Sequence, residues 1–277
     1  MTTDPSTRPL GDHGTDRPLA VVTGASSGIG LELARQFARN DFDLVIAAED
    51  AAITQVATEL AGLGADVRAV QVDLTDYDGV EVVYEKVLAT GRPVEALALN
   101  AGVGSGGDFT DTDLRKELQV IALNVTSTVH LAKRVIPDMV ERGAGKVLIT
   151  SSIAATQPGP YEAVYAATKA FDQSFAEAIR SELADTGVTV TSLMPGVTRT
   201  AFFSRAGMDD TRAGSDETLQ DDPALVAEQG FEALMRGDDK VVAGNPGNKV
   251  MAAVGRVTPD RVKAATHKLL SRPGSGD

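Results

Sequence analysis

The stretch LAVVTGASSGIG, Leu19 to Gly30, runs a short apolar segment into a turn holding three glycines, and from Gly30 to Asn40 apolar residues recur at helical spacing. A strand, a bare turn and a helix in direct succession bring backbone amides at a helix N-terminus within reach of a phosphate, where the helix dipole favours negative charge. Gly24, Gly28 and Gly30, with Ser26, Ser27 and Ile29 among them, are therefore candidate residues for holding the pyrophosphate of a dinucleotide. The spacing is G-x-x-x-G-x-G and not G-x-G-x-x-G, so tight strand–helix packing is the competing explanation. The segment Gly24 to Gly28 also satisfies G-x-S-x-G, the turn that carries the nucleophile of serine hydrolases. That chemistry needs a later histidine; only His130 and His267 follow Ser26, and both fall in helical patterns where surface or packing roles are simpler.

Outward from this turn, apolar runs begin at Leu19, Asp43, Val67, Val94, Lys146, Val188 and Lys240. Helical patterns lie between them: Gly30–Asn40, Ala51–Leu63, Tyr77–Thr90, Asp113–Arg142, Tyr161–Asp185 and Pro223–Arg236. Val/Ile/Leu-rich strands alternating with helices predict an α/β fold, a Rossmann-type doubly wound parallel sheet of about seven strands. After a polar N-terminal tail over 1–17, expected to be disordered, no composition break marks a second domain, so 18–277 reads as one.

The formal net charge of -13 excludes a protein that grips nucleic acid through its phosphates, which takes a basic face. The chain has no cysteine, which removes disulfides, thiolate zinc sites and cysteine nucleophiles, and no metal is expected. Neither a signal peptide nor an apolar run near the ~18 residues of a membrane span is present, so a cytoplasmic protein is expected.

Tyr165 and Lys169 stand four apart in a helical segment and so share a face. An ammonium beside a phenol favours the phenolate and makes the tyrosine usable as a general acid or base near neutral pH. A lone Y-x-x-x-K is common by chance. Here it is joined by Ser152, at the end of the run KVLITSS and hence at the carboxyl edge of the sheet, where open α/β folds bind ligands. Asn100-Ala101-Gly102 and Pro195-Gly196 end neighbouring runs at the same edge.

With these residues in view, the chain resembles the short-chain dehydrogenase/reductase superfamily from about Leu19 to Thr200. TGASSGIG is similar to the family's TGxxxGxG turn, LNAG at 99–102 to its NNAG motif with Leu99 in place of the first Asn, and YAATK to its YxxxK. Ser152 precedes Tyr165 by the family's 13 residues, and Asn124 in ALNVTS matches its helix asparagine. The resemblance implies hydride transfer between a nicotinamide and a carbonyl or alcohol. Tyr165 would exchange the proton, Ser152 would hold the substrate oxygen, Lys169 would tune Tyr165 and bind the nicotinamide ribose, and Asn124 would bind a water linking Lys169 to solvent. It further implies Asp73 and Leu74 beside the adenine, although for Asp73 a helix N-cap reading is equally open. Pro195, Gly196, Val197, Thr198 and Thr200 would lie beside the nicotinamide carboxamide. A homodimer or homotetramer paired through the two long helices is also implied. A dinucleotide-sensing protein without catalysis is the alternative of a different class, and the full Asn124, Ser152, Tyr165, Lys169 set argues against it.

Glu49, 21 residues after Gly28, and Asp50 close the second strand, where an acid takes a ribose 2′-hydroxyl. No cation stands there or in the glycine turn to meet a 2′-phosphate, so NAD is expected over NADP. Thr200–Asp222 lies where the family places its substrate lid, and Phe202, Phe203 and Met208 either meet an apolar substrate or anchor the loop. From Lys249 to about residue 272, interrupted by Pro259, an amphipathic helical extension with a packing or intersubunit role is expected.

Overall fold

The computed structural model describes residues 17–255 and 258–276. Strand β1 (Leu19–Thr23), helix α1 (Gly28–Arg39), β2 (Asp43–Ala48), α2 (Ile53–Ala61), β3 (Val67–Gln71), α3 (Tyr77–Leu88) and β4 (Val94–Leu99) form the first half. Helices α4 (Leu114–Ile121) and α5 (Ser127–Arg142) follow, then β5 (Gly145–Thr150), α6 (Ala163–Glu182) and β6 (Val188–Pro195). The chain ends with short helices α7 (Phe202–Ala206) and α8 (Arg212–Ser215), then α9 (Pro223–Arg236), β7 (Lys240–Ala243), α10 (Pro246–Gly255) and α11 (Asp260–Ser271).

The seven strands form one sheet in the order β3-β2-β1-β4-β5-β6-β7, every neighbouring pair parallel. Side chains alternate across each strand. Ala20 and Val22 of β1 enter the core beneath α1, α2 and α9, whereas Leu19 and Val21 enter the core beneath α3, α5 and α6. Phe37, Phe42 and Phe231 pack edge to face and join α1 to α9 in the first of these cores. Crossovers run outward in both directions from β1 and β4, so a crevice opens at the carboxyl ends of the strands between them.

The doubly wound sheet is the expected one, with three local differences. The pattern expected as one helix over 113–142 is α4 and α5 joined by a π-helical turn, Ala122–Thr126, and Asn124 sits in that turn. Helix α6 starts at Ala163 and not at Tyr161, whose φ of 67° is incompatible with a right-handed helix. The C-terminal extension is two helices, α10 and α11, the second beginning directly after Pro259. Of the expected tail, residues 1–16 lie outside the described residues. Arg17, assigned to that tail, is tied to the domain: its guanidinium donates to Ala38 O and pairs with Asp43. Among the described residues, no helix is long and apolar enough to cross a membrane.

Candidate active site

The glycine turn occupies the crevice between β1 and β4. Gly24 and Gly28 have φ of 67° and 57°, a region that costs a side-chain-bearing residue strain. Space excludes side chains as well: a Cβ on Gly24 would stand 2.9 Å from Ala101 Cα, and one on Gly28 2.9 Å from Thr200 Cγ2. Ser27, at the N-cap of α1, makes no side-chain cap, and no acidic residue stands in the first turn. The first amides of α1 are thus open to an external anion, the arrangement a pyrophosphate requires.

Thr23 ties this turn to the end of β4. Its Oγ1 accepts from Asn100 N and Ala101 N, both at 3.0 Å, and Asn100 Nδ2 donates to Thr23 O at 3.2 Å. Thr150 Oγ1 at the end of β5 donates to Asn100 Oδ1 at 3.1 Å. Three strand ends are thereby knitted into one rim by side chains that the sequence places immediately after apolar runs.

A single cavity of about 820 Å³ runs along the rim. It is lined by the whole glycine turn set, by Glu49 beyond β2, by Asp73 and Leu74 beyond β3, by Asn100–Gly102, and by Pro195–Thr198 with Thr200. Ser152, Tyr165 and Lys169 line it too. Asp73 does not cap α3: its Oδ1 accepts from Thr75 N at 2.8 Å, and Asp76 holds the N-cap position. Asn124 is the one predicted site residue away from the cavity wall. Fully buried, it accepts from Val103 N at 2.9 Å and donates to Val103 O at 3.0 Å and Thr168 Oγ1 at 2.9 Å. Both amide hydrogens are committed, so the side chain clamps the rim after β4 to α6.

Tyr165 and Lys169 project from one face of α6, as their spacing requires. Ser152 lines the same cavity and acts to lower the pKa of the Tyr165 phenol, and its Oγ accepts from Ala154 N at 3.1 Å. The expectation that Lys169 lowers the Tyr165 pKa is not met. The phenol is pushed above its ordinary range, first by burial, then by the charge of Glu162, with Asp172 adding and Ser152 opposing. Lys169 is turned to other partners: its Nζ donates to Thr150 O at 2.8 Å and to Asp172 Oδ2 at 3.0 Å.

Much of the remaining wall comes from residues not anticipated. Helix α11 faces the cavity with Lys263, Thr266, His267 and Leu270, opposite Gln157 and Glu162. His267 Nε2 lies 2.9 Å from Glu162 Oε2, Ser271 Oγ donates to the same oxygen at 2.7 Å, and Gln157 Nε2 lies 3.2 Å from His267 Nδ1. The i, i+4 stripe Lys263–His267–Ser271 is the signal that marks this face in the sequence. Phe202 and Phe203 line the cavity, the Phe202 ring 5.0 Å from that of Tyr165. Met208 is buried against Phe203, Ala206 and Ala213 and anchors the segment. The anchoring foreseen for this apolar trio is thus seen at Met208, and the two rings stand on the cavity wall. His130 pairs with Glu81, and His267 with Glu162, so neither histidine is hydrogen-bonded to Ser26 and the serine-hydrolase reading finds no support.

Arg205 of α7 also lines the cavity, 3.8 Å from Asp50. The glycine turn and the end of β2 carry no cation of their own; this one arrives from a segment far along the chain.

Comparison with known proteins agrees with this geometry. The family model for short chain dehydrogenase matches residues 18–210. A probable oxidoreductase of Mycobacterium tuberculosis, EphD, is 32% identical over 256 residues, which cover 92% of this chain. Those residues span only 42% of that longer relative. Among solved structures, a short-chain dehydrogenase from Sphingobium yanoikuyae in complex with NADPH is 28% identical with a TM-score of 0.75, covering 90% of this chain and 95% of the other. A 3-ketoacyl-(acyl-carrier-protein) reductase from Brucella melitensis complexed with NADH is 25% identical with a TM-score of 0.72, covering 82% and 97%. A bare glycine turn at an uncapped helix N-terminus, a knitted carboxyl rim and a family match over more than half the chain lead to one assignment: the chain belongs to the short chain dehydrogenase family.

Proposed function

We propose that the chain transfers a hydride between a nicotinamide dinucleotide and a carbonyl or secondary alcohol, with Tyr165 exchanging the proton on the substrate oxygen. The observation that carries this reading is the convergence of Ser152, Tyr165 and Lys169 on the wall of one cavity, beside the apolar rings of Phe202 and Phe203. A dinucleotide held along the glycine turn supplies the hydride acceptor or donor. The chain's residues do the rest. Ser152 and Tyr165 hold the substrate oxygen between two hydroxyls, and Tyr165 gives or takes its proton. Two of the three Lys169 N–H groups go to Thr150 and Asp172, which leaves the third for a ribose hydroxyl. Asn124 secures the rim through Val103 and Thr168.

Gly24, Ser26, Ser27, Gly28, Ile29 and Gly30 bind the pyrophosphate, Asp73 and Leu74 flank the adenine, and Asn100–Gly102 with Pro195–Thr198 and Thr200 enclose the nicotinamide half. Glu49 takes the adenosine ribose hydroxyls, and NAD is preferred. Residues 200–222 act as the substrate lid. The exposed stripe Leu114, Leu118 and Ile121 on α4, with Phe171 on α6, supports pairing with a second copy as a homodimer or homotetramer. The acidic chain and the absence of a spanning helix among the described residues suit a cytoplasmic protein acting on a small molecule. The test is a screen of carbonyls with NADH and NADPH, and of alcohols with NAD and NADP, followed at the nicotinamide absorbance. Turnover of any member by the parent but not by Tyr165→Phe supports the reading, and turnover insensitive to that change overturns it.

A further inference from the structure

Lys169 and Asp172 are an i, i+3 pair, which on a helix surface contributes only a few tenths of a kcal/mol. Here both are inside: Lys169 is 4% and Asp172 1% exposed. A buried pair has to offset a desolvation cost that surface pairs avoid, and it does so only when remaining polar atoms are also satisfied. That condition is not met, because Asp172 Oδ2 takes the ammonium at 3.0 Å while Oδ1 is buried without a hydrogen-bond partner in the protein. Stability alone gives no reason to keep an acid at this position. Its location suggests another reason. Lys169 Nζ lies under the rim at Gly102, where a Cβ would stand 3.2 Å from it, and Ser151 Oγ at the end of β5 holds the Lys169 carbonyl at 2.9 Å.

We propose that Asp172 is a positioning residue of the proton-transfer site: it fixes the Lys169 ammonium against Thr150 and neutralises its charge, so that Tyr165 holds its proton more firmly. The proposal rests on Tyr165 being the proton-exchanging group. It accounts for the raised Tyr165 pKa, since an ammonium already matched by a carboxylate 3.0 Å away has little field left to favour a phenolate one turn below. The direction of both groups agrees: burial raises Asp172 while Lys169 lowers it, and the Asp172 charge adds to the upward push on Tyr165.

The other charged groups around the cluster are few. At the N-cap of α6 Glu162 acts on Tyr165, and on α11 His267 holds Glu162, with Lys263 nearby donating to Thr156 O. Glu117 of α4, which packs on α6, is hydrogen-bonded by Ser105. Strands β5 and β6 and the π-helical turn contribute the uncharged Thr150, Ser151, Ser192 and Asn124.

The sign follows directly. Removing the Asp172 charge takes away a contribution that holds the proton on Tyr165 and exposes the Lys169 charge that removes it; both lower the Tyr165 pKa. The chain has four tyrosines and no tryptophan, so phenolate absorbance in the ultraviolet is readable without cofactor. Subtracting the titration of the matching Tyr165→Phe protein isolates Tyr165 in the parent and in Asp172→Asn. The expected result is a Tyr165 midpoint lower by about one pH unit or more in Asp172→Asn, the size of shift a charge within hydrogen-bond range produces. In carbonyl reduction, which needs the protonated phenol, the alkaline fall in turnover should move to lower pH in parallel. Asp172→Glu, which restores the charge, should return the midpoint toward the parent. Where Asp172→Asn does not fold by circular dichroism, Asp172→Ser makes the same demand. An unchanged midpoint in the neutral variant overturns the proposal, as does a Glu variant that behaves like the neutral one. Retained turnover in Tyr165→Phe would instead overturn the catalytic reading and leave the phenol titration to decide Asp172 by itself.

Discussion

The two ends of the cavity are built in opposite ways. The end proposed to take the cofactor is made of backbone and short polar side chains that stand immediately after strands: Gly24 and Gly28 after β1, Asn100 after β4, Gly196 after β6. The far end is made of side chains paired across the chain, Glu162 with His267 and Ser271, and Lys263 with Thr156. A pyrophosphate is common to every dinucleotide and is met by amides, which any sequence supplies once glycine clears the space. A substrate differs from one enzyme to the next and is met by side chains, which the rest of the chain must bring and hold. Changes at one end should therefore register in cofactor binding, and changes at the other in substrate kinetics and stability. Tyr165 and Lys169 lie where the two ends meet.

The largest effect is expected at that meeting point. Tyr165→Phe keeps the ring against Phe202 and removes only the hydroxyl, so turnover should fall by at least the ~100-fold that a general acid/base supplies. Cofactor affinity, read by nicotinamide fluorescence, should stay near that of the parent. A parallel loss of cofactor binding would show that the two ends are not separable at this residue.

Lys169→Met should damage both ends and stability as well. It removes the donor assigned to the ribose and strands the Asp172 carboxylate in the interior, a change that costs about 3–5 kcal/mol when one partner of a buried pair is lost. Pairing it with Asp172→Leu should recover most of the thermal stability, because the stranded charge is gone, yet recover neither turnover nor cofactor affinity. Recovery of turnover in the double variant would mean that Lys169 serves only to neutralise Asp172.

The same contrast explains what the sequence made legible. The strands, the rim and the candidate trio Ser152, Tyr165 and Lys169 follow from patterns confined to a few neighbouring residues: an apolar run, then TGASSGIG; an apolar run, then NAG; Y-x-x-x-K on one helical face. Asp172 was within the same helix and still unread, since an acid three residues after a lysine is ordinary on a surface and becomes telling only once burial is known. Glu162 and His267 are 105 residues apart, and Arg205 meets Asp50 across a greater separation. No local period links such pairs, so only the folded arrangement brings them into view. The π-helical turn at Asn124 was equally silent, because its residues fit an uninterrupted helical period.

His267→Ala should sharpen the contrast from the substrate side. It removes one of two donors to the buried Glu162 oxygen and leaves Ser271 alone to satisfy it. A carboxylate that loses a buried partner costs about 1–3 kcal/mol, enough to lower the melting temperature by several degrees in a domain of this size. With any substrate found by the screen, kcat/KM should fall through KM, while affinity for NAD stays unchanged. A loss confined to cofactor binding would place α11 at the wrong end of the cavity.

The smallest effect is expected where the cofactor end is least enclosed, at Glu49 and Asp50. Both are exposed, and Asp50 serves its own turn, its Oδ1 accepting from Ala52 N at 2.8 Å ahead of α2. Glu49 is not drawn into that turn by its side chain in the same way; its carbonyl takes Gln71 Nε2 at 3.2 Å, and it stands on the cavity wall. A carboxylate there accepts the hydroxyls of an adenosine ribose and repels a 2′-phosphate. Arg205 works against this, since it reaches the same end from α7, but its exposed pairing with Asp50 at 3.8 Å is of the kind that contributes roughly 0–1 kcal/mol. The acid should therefore prevail, and the parent should favour NAD by a modest ratio of kcat/KM. Glu49→Arg should move that ratio toward NADP by about tenfold, the equivalent of about 1.4 kcal/mol, because it replaces a repulsion with a phosphate partner. Arg205→Ala should move it slightly the other way, toward NAD. A parent that prefers NADP and loses that preference in Arg205→Ala would reverse the assignment, making the distant arginine and not the neighbouring acid the group that reads the ribose.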